Sequence, residues 1–260
     1  MPVPTVEIIV PARNEAGRLP RGLELLAAKA GTLPVRAAIL VVDSASTDET
    51  PDIVSNWPPG PVPIRLLRSR RPGKGLAIRD GLLATTAPFV GFCDADMATD
   101  LSALDRALAL LAQGKQVVIG SRSLGCSDVE DRHSIARRTG AAVFRAMART
   151  VVHEATDTQC GFKFFDGQLA RSAAAMLRST GFAFDIELLA HCLSLGATLT
   201  EIPVKWRDVP GSSFSVWRHS AASFCGVAGI WLRANRPATA FVPLPRAPEA
   251  LPLPSGAPVT

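Results

Sequence analysis

Residues 91–100 read Gly-Phe-Cys-Asp-Ala-Asp-Met-Ala-Thr-Asp. The run that leads into them, Phe89-Val90-Gly91-Phe92-Cys93, is short, apolar and rich in strand formers, which predicts a buried parallel strand. It ends in two carboxylates, Asp94 and Asp96, with only Ala95 between them. Side chains at i and i+2 of an extended chain leave the same face, so both acids can converge on one point. Paired hard oxygens suit Mg²⁺ or Mn²⁺, ions that keep positions open for a substrate's phosphates. Ligands of open α/β sheets bind beyond the carboxyl ends of the strands, and these acids stand at that edge. On this stretch alone, a surface turn with two solvated acids is the alternative.

The surrounding pattern favours the sheet. Val6 to Val10 reads as a first strand stopped by Pro11, followed by a turn at Asn14 to Gly17 and a helix from Leu19 to Ala30. Ala37 to Val42 is a second buried strand closed by Asp43, and a helix opens after it with Ser46 or Thr47 as N-cap. Ile64 to Leu67 is a third strand. Gly73-Lys74-Gly75 then leads a helix from Leu76 to Ala84. Leu101 to Ala112 reads as a helix and Gln116 to Ile119 as a fifth strand, ending in Gly120-Ser121-Arg122. This strict alternation predicts an α/β fold, a doubly wound and mostly parallel sheet.

The second half changes character. Ser134 to Val152 is amphipathic, with Ile135, Val143, Met147 and Val151 on one stripe and Arg138, Arg145 and Arg149 on another face. Asp157 to Phe165 is a polar turn running into a strand. Helices follow at Gln168 to Leu177 and Phe184 to Leu195, then a strand at Thr198 to Trp206. Val216 to Ala234 is apolar and carries Trp217 and Trp231 with Arg218 and Arg233 beside them. The stretches 134–152 and 216–234 therefore read as helices lying in a membrane interface. One domain is expected over 1–235. Seven prolines within residues 236–260 predict a disordered tail.

Of the 260 residues, 47% are hydrophobic and 20% charged. The 28 Lys+Arg against 23 Asp+Glu leave a net charge of +5, mostly arginine, which suits phosphate groups or an anionic membrane. No nucleic-acid motif accompanies that charge, so nucleic acid is not expected as a partner. Cys93, Cys126, Cys160, Cys192 and Cys225 form no Cys-x-x-Cys pair, which argues for a reducing compartment and against zinc or a disulfide framework. With neither a signal peptide nor a bilayer-spanning apolar run in view, a cytoplasmic protein in peripheral contact with the membrane is expected. His133, His153, His191 and His219 show no ligand spacing.

Pro11-Ala12-Arg13-Asn14-Glu15, the run Val-Val-Asp-Ser-Ala-Ser-Thr-Asp-Glu-Thr at 41–50, Gly73-Lys74-Gly75 and Asp94-Ala95-Asp96 together resemble the successive motifs of family-two inverting glycosyltransferases with the GT-A fold. Gly120-Ser121-Arg122, the heptapeptide Asp-Thr-Gln-Cys-Gly-Phe-Lys at 157–163, Phe184-Asp185-Ile186-Glu187 and Trp206 with Gly211-Ser212 sharpen the resemblance. They are similar to the dolichyl-phosphate glucosyltransferase branch, with dolichyl-phosphate mannose synthases as near relatives. The match spans roughly residues 5 to 215.

The resemblance implies a nucleoside-diphosphate sugar as donor and a polyprenyl phosphate as acceptor. It places Pro11, Ala12, Asn14, Glu15, Asp43, Lys74, Asp94, Ala95 and Asp96 at the donor. Arg122, with Arg137 or Arg138, is a candidate for the acceptor phosphate or the leaving diphosphate, and Asp157, Gln159 and Lys163, as acceptor-side and donor-sugar contacts, join Ser212 on the acceptor side. Asp94 and Asp96 would hold the metal, and with Arg122 they would carry the chemistry. Asp185 and Glu187 would pair with Lys163 or bind sugar hydroxyls. Mannose synthases place a glutamine where Ala98 stands, which favours UDP-glucose over GDP-mannose.

The chain departs from the family pattern at Ser44, where a second acid is usual, at Ala45, where glycine is common, and at Ser213, where lysine is frequent. Rival readings are a transferase acting on a hydroxyl acceptor and a non-catalytic protein that binds nucleotide sugars. A nucleotidyltransferase fits less well, because its glycine-rich N-terminal loop is missing.

Overall fold

Nine strands are present among the described residues: β1 (Val6–Ala12), β2 (Ala37–Ser44), β3 (Ile64–Ser69), β4 (Phe89–Cys93), β5 (Val117–Ser121), β6 (Asp128–Glu130), β7 (Phe162–Asp166), β8 (Leu199–Pro203) and β9 (Lys205–Arg207). The helices described over their full length are α1 (Leu19–Gly31), α2 (Thr50–Ser55), α3 (Lys74–Ala84), α4 (Ala103–Ala112), α5 (Gly167–Met176) and α6 (Phe184–Ser194). They come from a computed structural model that describes residues 3–125, 127–130 and 144–207 and positions 226, 227, 229, 230 and 232.

Seven strands form one sheet in the order β3-β2-β1-β4-β7-β5-β8. Only β7 runs against the others, wedged antiparallel between β4 and β5. The expected α/β class and mostly parallel sheet are therefore present, with the order reversing beside β4. That reversal is where open sheets leave a crevice for ligands.

Alternation along the strands feeds two cores. Ile9 joins Ala77, Ile78 and Leu82 of α3 and the α5–α6 pair on one face. Ile8 and Val10 join Leu19, Leu23 and Leu26 of α1 and Leu104 and Leu108 of α4 on the other. Every residue of β2 is buried, as expected of a strand covered on both faces.

Several boundaries differ from the sequence expectation. Pro11 does not stop β1, which runs on to Ala12. Beyond Ile9, β4 no longer pairs with β1, so the strand is locally an edge, where proline is tolerated. Neither Ser46 nor Thr47 caps α2, which begins at Thr50 with the Thr50 amide donating to Asp48 Oδ1 (3.0 Å). The single strand expected at Thr198–Trp206 is two strands broken at Val204.

The stretches expected to lie in a membrane interface are described only in part. Residues 144–149 are helical, and Met147 and Val151 pack on the α3-side core with buried Ala148 and Val152. Val227 and Ile230 also enter that core. At these positions the apolar stripe faces protein. A core-facing and a membrane-facing helix share one periodicity, so the pattern could not separate them. Arg145 and Arg149 are exposed, as a solvated face should be. The tail at 236–260 lies outside the described residues. Among those described, no helix is long and apolar enough to cross a membrane.

Candidate active site

The carboxyl ends of β1, β2 and β4 bring the first cluster together. Asp94 Oδ1 pairs with Lys74 Nζ at 2.6 Å. Gly161 passes so close beneath Asp94 that a Cβ there would collide with its carboxylate. After the strand the chain turns sharply: Met97 sits at φ 48°, its amide donating to the Asp94 carbonyl (3.1 Å), while the Ala98 amide donates to Asp96 Oδ1 (3.2 Å). The Asp100 amide then donates to the Lys205 carbonyl (2.9 Å) and the Arg207 amide to the Ala98 carbonyl (2.9 Å), which fastens the acid turn to β9.

Burial, and then the charge of Asp94, push the Asp96 carboxyl above its ordinary range. Burial alone would depress the Lys74 ammonium, but Asp94 and Asp185 outweigh it and the net shift is upward. Lys74 is therefore a cation throughout the neutral range. Two carboxylates that strain against each other's charge are a donor set suited to a hard divalent cation. No group of three or more His, Cys, Asp or Glu side chains among the described residues is arranged to hold a metal. Asp94 and Asp96 would thus supply two oxygens, and the phosphates of a substrate would complete the shell.

Asn14 and Glu15 occupy the turn after β1, which is laced to the segment after β2. The Asn14 amide donates to Ser46 Oγ (3.0 Å), the Thr47 amide to Asn14 Oδ1 (2.8 Å), the Glu15 amide to Thr50 Oγ1 (2.8 Å) and the Ala16 amide to Asp48 Oδ2 (3.1 Å). Asn14 and Ala45 both lie in the left-handed region, at φ 54°. Asp43 is buried and accepts the Ser46 amide at 3.2 Å. Pro11 and Ala12 align with Val42 and Asp43 across the β1–β2 pair. These residues make one continuous wall at the sheet edge.

Arg18 was not foreseen. Its guanidinium grips both oxygens of Glu15 (2.9 and 2.8 Å), yet burial, with the charges of Asp96 and Asp94 added, holds the Glu15 carboxyl above its ordinary range. The Glu15-x-x-Arg18 spacing, one helical turn, was the available signal.

The second cluster lies at the ends of β5 and β7. Asp157 is buried and holds Arg122 three ways, through Nε (2.7 Å), Nη2 (3.0 Å) and the backbone amide (3.0 Å). The guanidinium also lies over Trp206, 5.6 Å from the ring centre. Glu201 fixes Asp157 in turn, accepting the Thr156 and Asp157 amides (3.0 Å each) and the Thr156 hydroxyl (2.8 Å). Thr158 Oγ1 and Gln159 Nε2 are buried beside this pair with no hydrogen-bond partner among the described residues. Burial would raise the Asp157 carboxyl, but the bonds and charge of Arg122 outweigh it and hold it below its ordinary range.

Asp157→Asn should therefore cost about 2 kcal/mol, a buried-pair loss discounted for the partly exposed arginine. A depressed carboxyl stabilises above its unfolded pKa of about 3.9 and ceases to do so as pH falls through the folded value. The gap between wild type and variant should accordingly close as denaturant titrations are carried from pH 7 towards pH 3.

Lys163 stands elsewhere. It faces Phe92 across the β4–β7 pair, is fully buried, and donates to Asp185 Oδ1 (2.5 Å) and the Cys160 carbonyl (2.6 Å). Its ammonium is engaged by these protein groups and braces the sheet beneath the site. Glu187 does not pair with it. Its carboxylate accepts the Arg178 and Ser179 amides at 3.1 and 2.6 Å. Cys93, Cys160 and Cys192 are free thiols buried in the core, and burial pushes Cys192 up to about 12. Arg137, Arg138 and Ser212 lie outside the described residues.

A mostly parallel sheet with an acid pair at the switch in strand order is an architecture of the GT-A glycosyltransferase type. Residues 7–168 match the family described as glycosyl transferase family 2, and the chain belongs to it and is a glycosyltransferase. It is 32% identical to a Drosophila melanogaster dolichyl-phosphate beta-glucosyltransferase over 81% of this chain and 69% of that protein. It is 30% identical to the Dictyostelium discoideum protein of the same name over 83% and 70%. Among solved structures it resembles glucosyl-3-phosphoglycerate synthase from Mycobacterium tuberculosis, in complex with Mn²⁺, uridine diphosphate and glucosyl-3-phosphoglycerate. That likeness has a TM-score of 0.64 at 19% identity, covering 91% of this chain and 82% of the other.

Proposed function

We propose that this chain transfers glucose from UDP-glucose to a polyprenyl phosphate of the dolichyl type, with inversion, using Mg²⁺ or Mn²⁺ held by Asp94 and Asp96. The observation that carries the reading is the grouping of that acid pair with Lys74 and Arg122, in a chain whose relatives of about 30% identity are named for transfer to dolichyl phosphate. When bound, the metal would neutralise charge building on the departing diphosphate. Lys74 adds a second positive charge on the same side. The wall formed by Pro11, Ala12, Asn14, Glu15 and Asp43 takes the nucleoside.

On the acceptor side, Arg122 orients the phosphate, with Gln159 and its unpartnered amide nearby. A phosphate monoester has a second pKa of about 6, so its attacking oxygen is already anionic at neutral pH. No general base is then needed. The acids closest to that role are otherwise engaged: Asp157 with Arg122, Asp185 with Lys163, and Glu187 with two amides. The lipid acceptor implies work at a membrane surface, from the cytoplasmic side, through peripheral contact.

Purified protein should convert labelled UDP-glucose and polyprenyl phosphate to a β-linked glycolipid only when a divalent metal is present. The amide variants of Asp157, Asp185 and Glu187 should lose activity unevenly, yet each should keep the basic limb of the pH–rate profile. A variant that loses that limb and regains it with an added small base would show that the acceptor is a hydroxyl.

A further inference from the structure

Ser44 stands where the family pattern carries a second acid, and its side chain is committed elsewhere. It is buried at the end of β2, where Ser44 Oγ accepts the Gly73 amide at 2.8 Å and lies 3.3 Å from the Gly73 carbonyl, to which it can donate. Gly73 is at φ 151°, a conformation that favours glycine, and a Cβ there would lie 2.5 Å from the Thr180 carbonyl oxygen. On the far side the Gly75 amide donates to that same Thr180 carbonyl (3.0 Å). The 178–180 segment is in turn held by Glu187 through the Arg178 and Ser179 amides. The turn that opens α3 is thus fixed from two directions, and between them Lys74 extends to Asp94.

We infer that Ser44 and Glu187 are positioning residues that aim Lys74 at the donor's diphosphate, Ser44 gripping the lysine turn where a second acid is usual. The inference rests on the transfer reaction proposed above. A lysine stem is long and its ammonium is a point charge, so what fixes its direction is the backbone it leaves from. Transition-state charge is stabilised by groups held in place beforehand, and a loosened turn forfeits that advantage while keeping the charge. The expected signature is a fall in kcat with a small change in KM, because the ammonium can still drift onto bound donor.

A double-mutant cycle separates aiming from mere support. Ser44→Ala and Glu187→Leu should each lower kcat about tenfold with Lys74 present, the scale of one or two lost hydrogen bonds. Neither should lower it further when combined with Lys74→Met, because the group they aim is gone. Affinity for UDP in the presence of Mn²⁺, measured by calorimetry, should fall for Lys74→Met and change little for Ser44→Ala. Equal losses with lysine or methionine at position 74 would overturn the inference and leave both residues as ordinary supports. No loss in either single variant would overturn it too. If Lys74→Met itself leaves turnover and UDP affinity unchanged, the lysine's part in the proposed transfer fails and the aiming role with it, an outcome distinct from the others.

Discussion

Asp96→Asn should leave a folded protein that turns over at least ~100-fold more slowly, the scale of losing one preorganised electrostatic group in a closed site. The fold should survive because Asp96 stands beyond the last residue of β4, and the hydrogen bond from the Ala98 amide to its Oδ1 can be accepted equally by an amide oxygen. Relief of repulsion even favours the variant. Burial and Asp94 already hold the Asp96 carboxyl above its ordinary range, so its ionised form is disfavoured in the folded protein. For a raised acid the sign is fixed: stability is fully present below the unfolded pKa and declines as pH rises through the folded one. Asp96→Asn should therefore unfold at an equal or higher temperature than wild type at pH 8. Its calorimetric affinity for Mn²⁺ with UDP should collapse. Retained turnover in the variant, or wild-type turnover undiminished by EDTA, would remove the metal from the site.

Much of this centre was legible in the sequence. The strand at Phe89–Cys93 has the predicted bounds, because an apolar run ended by two acids has few other ways to fold. The β-α alternation gave the sheet for the same local reason. What the sequence could not carry was pairing across distance. Ser44 meets Gly73, 29 residues on, and Glu201 meets Asp157 from 44 residues away. Nothing in either local pattern names its partner. Antiparallel β7 was also hidden, since an apolar strand reads alike in both directions. The burial of Lys163 was hidden for a related reason: it stands between Phe162 and Phe164, and only the strand's pairing shows it turned inward, opposite Phe92.

Lys163→Met should be the most damaging single change to stability. The ammonium is wholly enclosed, bonded to Asp185 and the Cys160 carbonyl, and 5.3 Å from the centre of the Phe92 ring. Methionine fits the apolar part of that space, so the loss is electrostatic. Removing one partner of a buried ion pair leaves the other charge without compensation, at a cost of about 3–5 kcal/mol. Asp185 already has its carboxyl raised, chiefly by burial and against the pull of Lys163 and Lys74. Without Lys163 it must rise further and take up a proton on folding. The sign then predicts the pH dependence. A carboxyl raised in the folded state leaves stability intact below its unfolded pKa of about 3.9 and removes it progressively as pH climbs towards the folded value. The deficit of Lys163→Met relative to wild type should accordingly be small near pH 4 and grow as pH rises to 8. Adding Asp185→Asn should recover much of the loss at pH 8, because the stranded charge is removed. A deficit that stays constant with pH, or a double variant no more stable than Lys163→Met alone, would show that Lys163 holds the sheet by shape and not by charge.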